Sequence, residues 1–156
     1  MGAGKSTVGR RLAQKLGWKF IDLDEEIERR ERRSIAEIFR ESGEPHFRKL
    51  EKLYLQEISS ARNAIIALGG GAFMDPLNRD LAGRTGLTVW LKVSFANAAD
   101  RVKIDGTRPK FTDRDQAQKL HESREALYGL AKFHVATDTR TPESIAEEIA
   151  GAVRKS

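Results

Sequence analysis

The strongest constraint in this sequence lies at its start, where a glycine-rich loop runs directly into a helical pattern. Residues 2–7 read Gly-Ala-Gly-Lys-Ser-Thr and match the last part of the phosphate-loop pattern G-x-x-x-x-G-K-[ST]. Glycines let backbone N–H groups surround the phosphates of a nucleotide, while Lys5 adds a cation and Ser6 offers a hydroxyl to Mg²⁺. We therefore predict a nucleotide site at the N-terminus of the first helix, formed by Gly2, Ala3, Gly4, Lys5, Ser6 and Thr7.

The first glycine of this pattern would stand two positions before Met1, together with the strand that normally leads into the loop. We therefore expect that the functional protein begins upstream and that its first strand is missing from these 156 residues. Roughly 10 to 15 further residues would supply a strand of typical length and the start of the loop.

Composition restricts the remaining possibilities. The 156 residues suit one domain, residues 1–156, and the net charge of +5 suits an anionic ligand. The sequence has no Cys, which excludes disulfides and thiolate metal sites and favours a reducing cytoplasm. No apolar run approaches the ~20 residues of a membrane span. Basic residues alternate with acidic ones, so we expect neither a nucleic-acid nor a membrane partner.

Apolar runs alternate with amphipathic stretches, which is typical of an α/β fold with a short parallel sheet flanked by helices. Ser34 with Glu37, and Thr141 with Pro142, predict two helix starts. Residues 105–118 contain few large apolar side chains and predict a mobile loop. The candidate strands, which we expect to be buried on both faces, are Lys19 to Leu23, Ala64 to Leu68, Leu87 to Val93 and Phe133 to Thr137.

Four further segments carry a family resemblance. They are Asp22-Leu23-Asp24, the stretch from Gly43 to Glu51 (G-E-P-H-F-R-K-L-E), the triplet Gly69-Gly70-Gly71, and the set Arg101, Arg108-Pro109, Arg124 and Thr139-Arg140-Thr141-Pro142. With the phosphate loop, they make the whole chain similar to the shikimate kinase family, small P-loop kinases of the nucleoside monophosphate kinase group. The resemblance implies a three-layer P-loop NTPase fold and transfer of phosphate from ATP to the 3-hydroxyl of shikimate, in the pathway to chorismate and the aromatic amino acids.

The resemblance also implies roles at the acceptor end of the site. Asp24 binds the hydroxyls of shikimate and takes the proton, while Arg48 and Arg124 bind its carboxylate, a role that suits planar guanidinium groups. Glu51 lies three residues after Arg48 on the same helix face and could orient it. Backbone amides of Gly69, Gly70 and Gly71 meet the hydroxyls and the transferred phosphate.

At the nucleotide end, the resemblance implies that the loop of residues 105–118 is a mobile lid. It also implies that Arg108 of this lid is a catalytic residue, together with Lys5 and Asp24. Ser6 and, through water, Asp22 would hold Mg²⁺. Arg101 and Pro142 would sandwich the adenine, with Arg140 nearby on the nucleotide. Lys110 departs from the family, which usually has an apolar residue at this position of the lid.

Other interpretations remain open. Period-2 alternation points Asp22 and Asp24 the same way beyond the carboxyl end of their strand, but two acids there could instead cap the next helix. Tyr128, Phe133 and Trp90 fit the core better than a ligand site. The chain could be another small-molecule P-loop kinase, for gluconate or a nucleoside monophosphate, or a sensor that binds nucleotide without catalysis. We expect a monomer.

Overall fold

The computed structural model describes residues 3–98 and 114–156. A short 3₁₀ helix covers Ala72–Met74. The α-helices are α1 (Lys5–Leu16), α2 (Leu23–Glu31), α3 (Ile35–Ile58), α4 (Pro76–Thr85), α5 (Arg114–Tyr128) and α6 (Pro142–Lys155), and the strands are β1 (Lys19–Asp22), β2 (Ala64–Ala67), β3 (Val89–Lys92) and β4 (Phe133–Ala136).

Both predicted helix starts are confirmed. The Ser34 hydroxyl accepts a hydrogen bond from the Glu37 backbone N–H, and the Glu37 carboxylate accepts one from the Ser34 backbone N–H at 2.7 Å. The Thr141 hydroxyl accepts from the Ser144 N–H at 3.2 Å, and Pro142 occupies the first turn of α6. These short sequence patterns set the helix starts because each satisfies backbone donors that a helix leaves free.

The four predicted strands are also present, each somewhat shorter than predicted. Strand β1 pairs with β2 in parallel, with Lys19 opposite Ala64, and β3 pairs with β4 in parallel, with Val89 opposite Phe133. Within the described residues, these pairs form two separate two-stranded sheets. The α/β class with short parallel sheets is confirmed.

A cleft of about 760 Å³ lies between the two sheets. Ile65 and Ile66 of β2 line it, as do Val89 and Leu91 of β3 and Leu12 of α1. Most side chains of β2 and β3 are only half-buried, so the prediction that the strands are covered on both faces is wrong for these two.

The buried apolar residues form two separate cores. The first joins α1 to α6 and β4, and the second joins α2 to α3 and the 3₁₀ helix. Each buried Leu, Ile or Phe contributes roughly 1.5–3 kcal/mol. The buried members are Val8, Leu12, Val135, Ile145, Ala146, Ile149 and Ala150 in the first core, and Leu23, Ile27, Ile38, Phe47, Leu55, Ile58 and Ala72 in the second.

The start of α5 differs from the prediction, and the shorter β1 has a local cause. Residues 114–118, assigned to the loop, form the first turns of α5, whereas residues 105–113 lie outside the described part of the chain. Strand β1 ends at Asp22 and not at Leu23, because the Asp22 carboxylate accepts hydrogen bonds from the N–H groups of Asp24 and Glu25 and so starts α2. In the described residues, no helix has the length and apolarity needed to cross a membrane.

Candidate active site

The phosphate loop ends in a left-handed turn. Gly4 has φ 79° and ψ 25°, a conformation that residues with a Cβ rarely adopt. Its carbonyl accepts the Val8 N–H at 2.9 Å, so the turn feeds directly into α1. Lys5 and Ser6 therefore occupy the first turn, where backbone N–H groups favour an anion. Ala3 and Thr7 flank this turn, and Gly2 lies outside the described residues.

Ser6 and Asp22 form an oxygen cluster beside this turn. The Ser6 hydroxyl donates to Asp22 Oδ2 at 2.8 Å, and Asp22 Oδ1 accepts the Asp24 N–H at 3.0 Å. The Asp22 side chain is held from both sides and is only 8% exposed. A hydroxyl and a carboxylate are hard oxygen donors of the kind that Mg²⁺ prefers, so these residues fit the predicted metal.

Asp24 does not share a strand with Asp22, so the alternation argument for it is wrong. It lies in the first turn of α2, which the Asp22 cap initiates, and it is half-buried. A Cβ added to Gly69 would lie 2.8 Å from Asp24 Oδ1. The capping interpretation is thus correct for Asp22. Asp24 lies against the first glycine of the triplet, and its role at the hydroxyls of the acceptor stays a prediction.

Arg48 lies just after a break in α3. Gly43 has φ 80° and interrupts the helix, and Arg48 belongs to the first turns of the segment that follows. Its Nη1 donates to both carboxylate oxygens of Glu51, at 3.1 and 2.9 Å, and its Nη2 donates to Glu44 Oε1 at 3.1 Å. These three bonds fix the guanidinium against Gly71, where an added Cβ would lie 2.4 Å from Nη1 and Nη2.

Glu51 is a buried carboxylate that supports Arg48. It is 1% exposed. Burial raises the pKa of Glu51 above its usual value, the hydrogen bonds with Arg48 oppose this change, and the nearby charges of Asp24 and Asp75 reinforce it. Burial lowers the pKa of Arg48, but the bonds to Glu51 and Glu44 outweigh burial and raise it overall. Arg48 therefore stays cationic.

Arg124 approaches from the other side of the triplet. It lies on α5, and a Cβ added to Gly70 would lie 3.1 Å from Arg124 Nη1. Tyr128 follows one turn later on the same helix face, and its hydroxyl donates to the Gly70 carbonyl at 2.6 Å. The third member of the predicted acceptor set thus reaches the same loop as Asp24 and Arg48.

The glycine triplet itself is held by the elements that follow it. The Ala72 N–H donates to the Gly69 carbonyl at 3.0 Å and the Met74 N–H to the Gly71 carbonyl at 3.1 Å. Asn78, which is 2% exposed, donates from Nδ2 to the Ala72 carbonyl at 3.0 Å. The loop is thereby fixed as a backbone surface, with side chains of three different elements against it.

Only some of the residues predicted to bind the nucleotide lie in the described part of the chain. Arg101 and Arg108 lie outside the described residues. Pro142 opens α6 and is half-buried, but the Arg140 guanidinium donates to the Ser144 carbonyl at 3.0 Å and pairs with Glu148 on α6. Its assignment to the nucleotide stays a prediction.

Two residues that contact this loop were not predicted from the sequence. Tyr128 was predicted as core, and its ring does pack near Phe73 and Trp90, with centroids 6.4 and 6.2 Å apart. Its spacing of four residues from Arg124 is the signal that could have placed its hydroxyl at the site. Asn78 carries no comparable signal, because only the folded chain brings α4 beneath the loop.

Comparisons with known proteins point to one family. The family model for shikimate kinase matches residues 1–154. The shikimate kinase of Persephonella marina is 38% identical over 155 residues, covering 99% of this chain and 94% of the relative. That of Thermobifida fusca is 44% identical over 153 residues, covering 96% and 88%. Among solved structures, the Acinetobacter baumannii shikimate kinase in complex with shikimate has a TM-score of 0.93 at 34% identity, covering 99% of this chain and 89% of that one.

Proposed function

The chain belongs to the shikimate kinase family and is an ATP-dependent kinase of the shikimate pathway, and we propose that it transfers the γ-phosphate of ATP to the 3-hydroxyl of shikimate through the residues described above. The product is shikimate 3-phosphate, on the route to chorismate and the aromatic amino acids.

One observation carries the assignment of residues. Each glycine of the triplet lies against a different charged side chain: Gly69 against Asp24, Gly70 against Arg124 and Gly71 against Arg48. Two guanidinium groups match a carboxylate, and one carboxylate matches hydroxyl donors. Shikimate carries both kinds of group on one ring, so a site with this charge pattern orients it from both ends.

The chemistry then needs positioning more than covalent participation. Asp24 accepts the hydrogen bond of the 3-hydroxyl and takes its proton as that oxygen attacks the γ-phosphorus. The bond from the γ-phosphorus to the bridging oxygen breaks, and ADP leaves with the electron pair. Lys5 and the N-terminus of α1 stabilise the negative charge on the transferred group.

Mg²⁺ fits the oxygen pair of Ser6 and Asp22, which would hold it directly and through water, and when bound it supplies charge neutralisation at the phosphates. The predicted lid residue Arg108 would add a second cation and exclude water that otherwise competes with shikimate.

A coupled assay of ADP release tests the proposal. The purified protein is given MgATP with shikimate, gluconate or AMP, and we expect turnover with shikimate alone. Turnover with gluconate or AMP instead would identify another small-molecule kinase, and the absence of turnover with all three would favour a nucleotide-binding sensor.

The substrate contacts are tested by Arg48→Ala and Arg124→Ala. Each removes one charged partner of a desolvated carboxylate and should cost roughly 2–5 kcal/mol of shikimate binding. The affinity for ATP should hardly change. Arg84→Ala is the matched control, because Arg84 is 71% exposed and pairs only with Asp80 in the contacts described for it. Equal losses for shikimate and ATP would indicate a folding defect and count against the carboxylate assignment.

We further propose that the protein works as a cytoplasmic monomer that binds neither nucleic acid nor membranes. The absence of Cys and the mixture of both charge signs along the chain support this proposal. Light scattering on the eluting peak of a size-exclusion column would give the oligomeric state, with a dimer contradicting the proposal.

A further inference from the structure

Tyr128 connects the arginine-bearing helix α5 to the glycine triplet. Its hydroxyl donates to the Gly70 carbonyl at 2.6 Å, near the short end of the range for O–H···O bonds, and the two residues are 58 positions apart in sequence. An added Cβ on Gly70 would lie 3.3 Å from this hydroxyl and 3.1 Å from Arg124 Nη1. Arg124 and Tyr128 therefore reach the same glycine from adjacent turns of α5.

The ring of Tyr128 is anchored independently of its hydroxyl. Its centroid lies 6.4 Å from that of Phe73 and 6.2 Å from that of Trp90, both within the range of aromatic pairs. Phe73 belongs to the 3₁₀ helix after the triplet and Trp90 to β3. Since these contacts hold the ring on two elements, the hydroxyl has little freedom to follow a shifting loop.

Fixing the Gly70 carbonyl also fixes the N–H of Gly71, because both belong to the same peptide group. A trans peptide is planar, so the N–H of Gly71 points opposite to the carbonyl of Gly70. Gly71 is the residue that lies against the guanidinium of Arg48. The hydrogen bond from Tyr128 thus sets the direction of the Gly71 N–H. It also sets the position of the Gly71 backbone against which the Arg48 guanidinium packs.

We propose that Tyr128 is a positioning residue for the acceptor: its hydroxyl holds the Gly70–Gly71 peptide group in the orientation that shikimate requires. This inference rests on the proposed function, because the acceptor is taken to be shikimate. It assigns to Tyr128 no contact with ATP and no part in proton transfer.

The test is Tyr128→Phe, which removes the hydroxyl and keeps the ring contacts. Loss of the bond leaves the Gly70 carbonyl without its partner, so the KM for shikimate should rise roughly 5- to 30-fold. The KM for ATP should stay within about 2-fold of wild type, and kcat within about 3-fold, because the lost interaction serves binding of the acceptor. Replacing Tyr128 with 4-aminophenylalanine, which restores a donor at the same ring position, should recover most of the wild-type KM.

Tyr54→Phe is the matched control. Tyr54 is the other of the chain's two tyrosines, and its hydroxyl donates to Glu31 Oε1 at 2.5 Å, joining α3 to the end of α2. Its loss removes a tyrosine hydroxyl that bonds a charged carboxylate, so Tyr54→Phe should lower the melting temperature at least as much as Tyr128→Phe does. Only Tyr128→Phe should change the KM for shikimate.

The outcomes separate the inference from the function on which it rests. Wild-type protein that does not phosphorylate shikimate would overturn the proposed function. An active wild type with the same KM for shikimate as Tyr128→Phe would overturn the positioning role alone. Equal increases in KM for shikimate and ATP, or a KM not recovered by 4-aminophenylalanine, would show that the hydroxyl is only structural and would also overturn it.

Discussion

A methyl group added to Gly71 is expected to displace the Arg48 guanidinium and so to weaken the binding of the shikimate carboxylate. In Gly71→Ala the new Cβ would lie 2.4 Å from Nη1 and Nη2 of Arg48 and 2.6 Å from its Cζ. Non-bonded heavy atoms are most stable at about 3.5–4.0 Å, so one of the two groups must move by roughly 1 Å. The Gly71 carbonyl is held by the Met74 N–H at 3.1 Å, and we therefore expect the guanidinium to yield.

The size of the effect follows from what holds that guanidinium. Arg48 donates two hydrogen bonds to Glu51 and one to Glu44. A hydrogen bond to a charged group contributes about 1.5–3 kcal/mol, so weakening one of them and misplacing the cation should cost about 2 kcal/mol of shikimate binding. This corresponds to an increase of about 30-fold in the KM for shikimate. The KM for ATP should not change, because Arg48 does not lie at the phosphate loop.

Steady-state kinetics of Gly71→Ala beside Gly70→Ala and Gly83→Ala check this argument. The Gly70 variant brings its Cβ only to 3.1 Å from Arg124 Nη1, so its effect on KM should be smaller. Gly83 lies in α4, where no atom would lie within 4 Å of a new Cβ, and alanine there should leave the kinetics unchanged and stabilise the helix by about 0.5–1 kcal/mol. A folded Gly71→Ala with the wild-type KM for shikimate would refute the reasoning.

Three further outcomes are expected. Asp24→Asn should keep nucleotide binding but lower kcat by at least ~10²-fold, measured by ADP release; near-normal turnover would contradict its role. Hydrogen bonds from Arg29, then those from Arg30, lower the folded-state pKa of Glu26 from 4.5 to about 2. The stability that ionised Glu26 adds is therefore complete above pH 4.5 and is lost as the pH falls towards 2. The free energies of unfolding of wild type and Glu26→Gln, measured with urea, should differ by about 1 kcal/mol at pH 6 and converge near pH 2. An apolar segment of roughly 10 to 15 residues added before the phosphate loop should fill the cleft between the two sheets and raise the melting temperature and the affinity for ATP, whereas a Gly/Ser extension of equal length should not. Equal effects of the two extensions would show that the cleft does not accept a strand.

Local patterns in the sequence predicted those parts of the fold that neighbouring residues determine. The capping box at Ser34 and the start at Thr141 were predicted because each satisfies N–H groups within its own first turn. The same logic explains the error at Asp22, whose carboxylate ends β1 by capping α2 one residue earlier than the apolar run suggested. The alternation of apolar and polar residues cannot reveal this boundary, because the end of β1 and the start of α2 lie on the same residues.

The acceptor site was predicted as a set of residues but not as an arrangement. The resemblance supplied Asp24, Arg48 and Arg124, yet only the fold shows that each meets a different glycine of the triplet. The hydrogen bond from Tyr128 to Gly70 spans 58 positions and has no local pattern. Contacts of this kind depend on how α2, α3 and α5 converge, which periodicity does not determine.

The division of the sheet has a mechanical consequence for the acceptor site. Arg48 is attached to the half built on β1 and β2 through the α2–α3 core, whereas α5, which carries Arg124, leads directly into β4 of the other half. The two halves meet at the glycine triplet, where Gly70 lies against Arg124 and Gly71 against Arg48. An acid bound by both arginines, as proposed, would therefore join the two halves of the sheet.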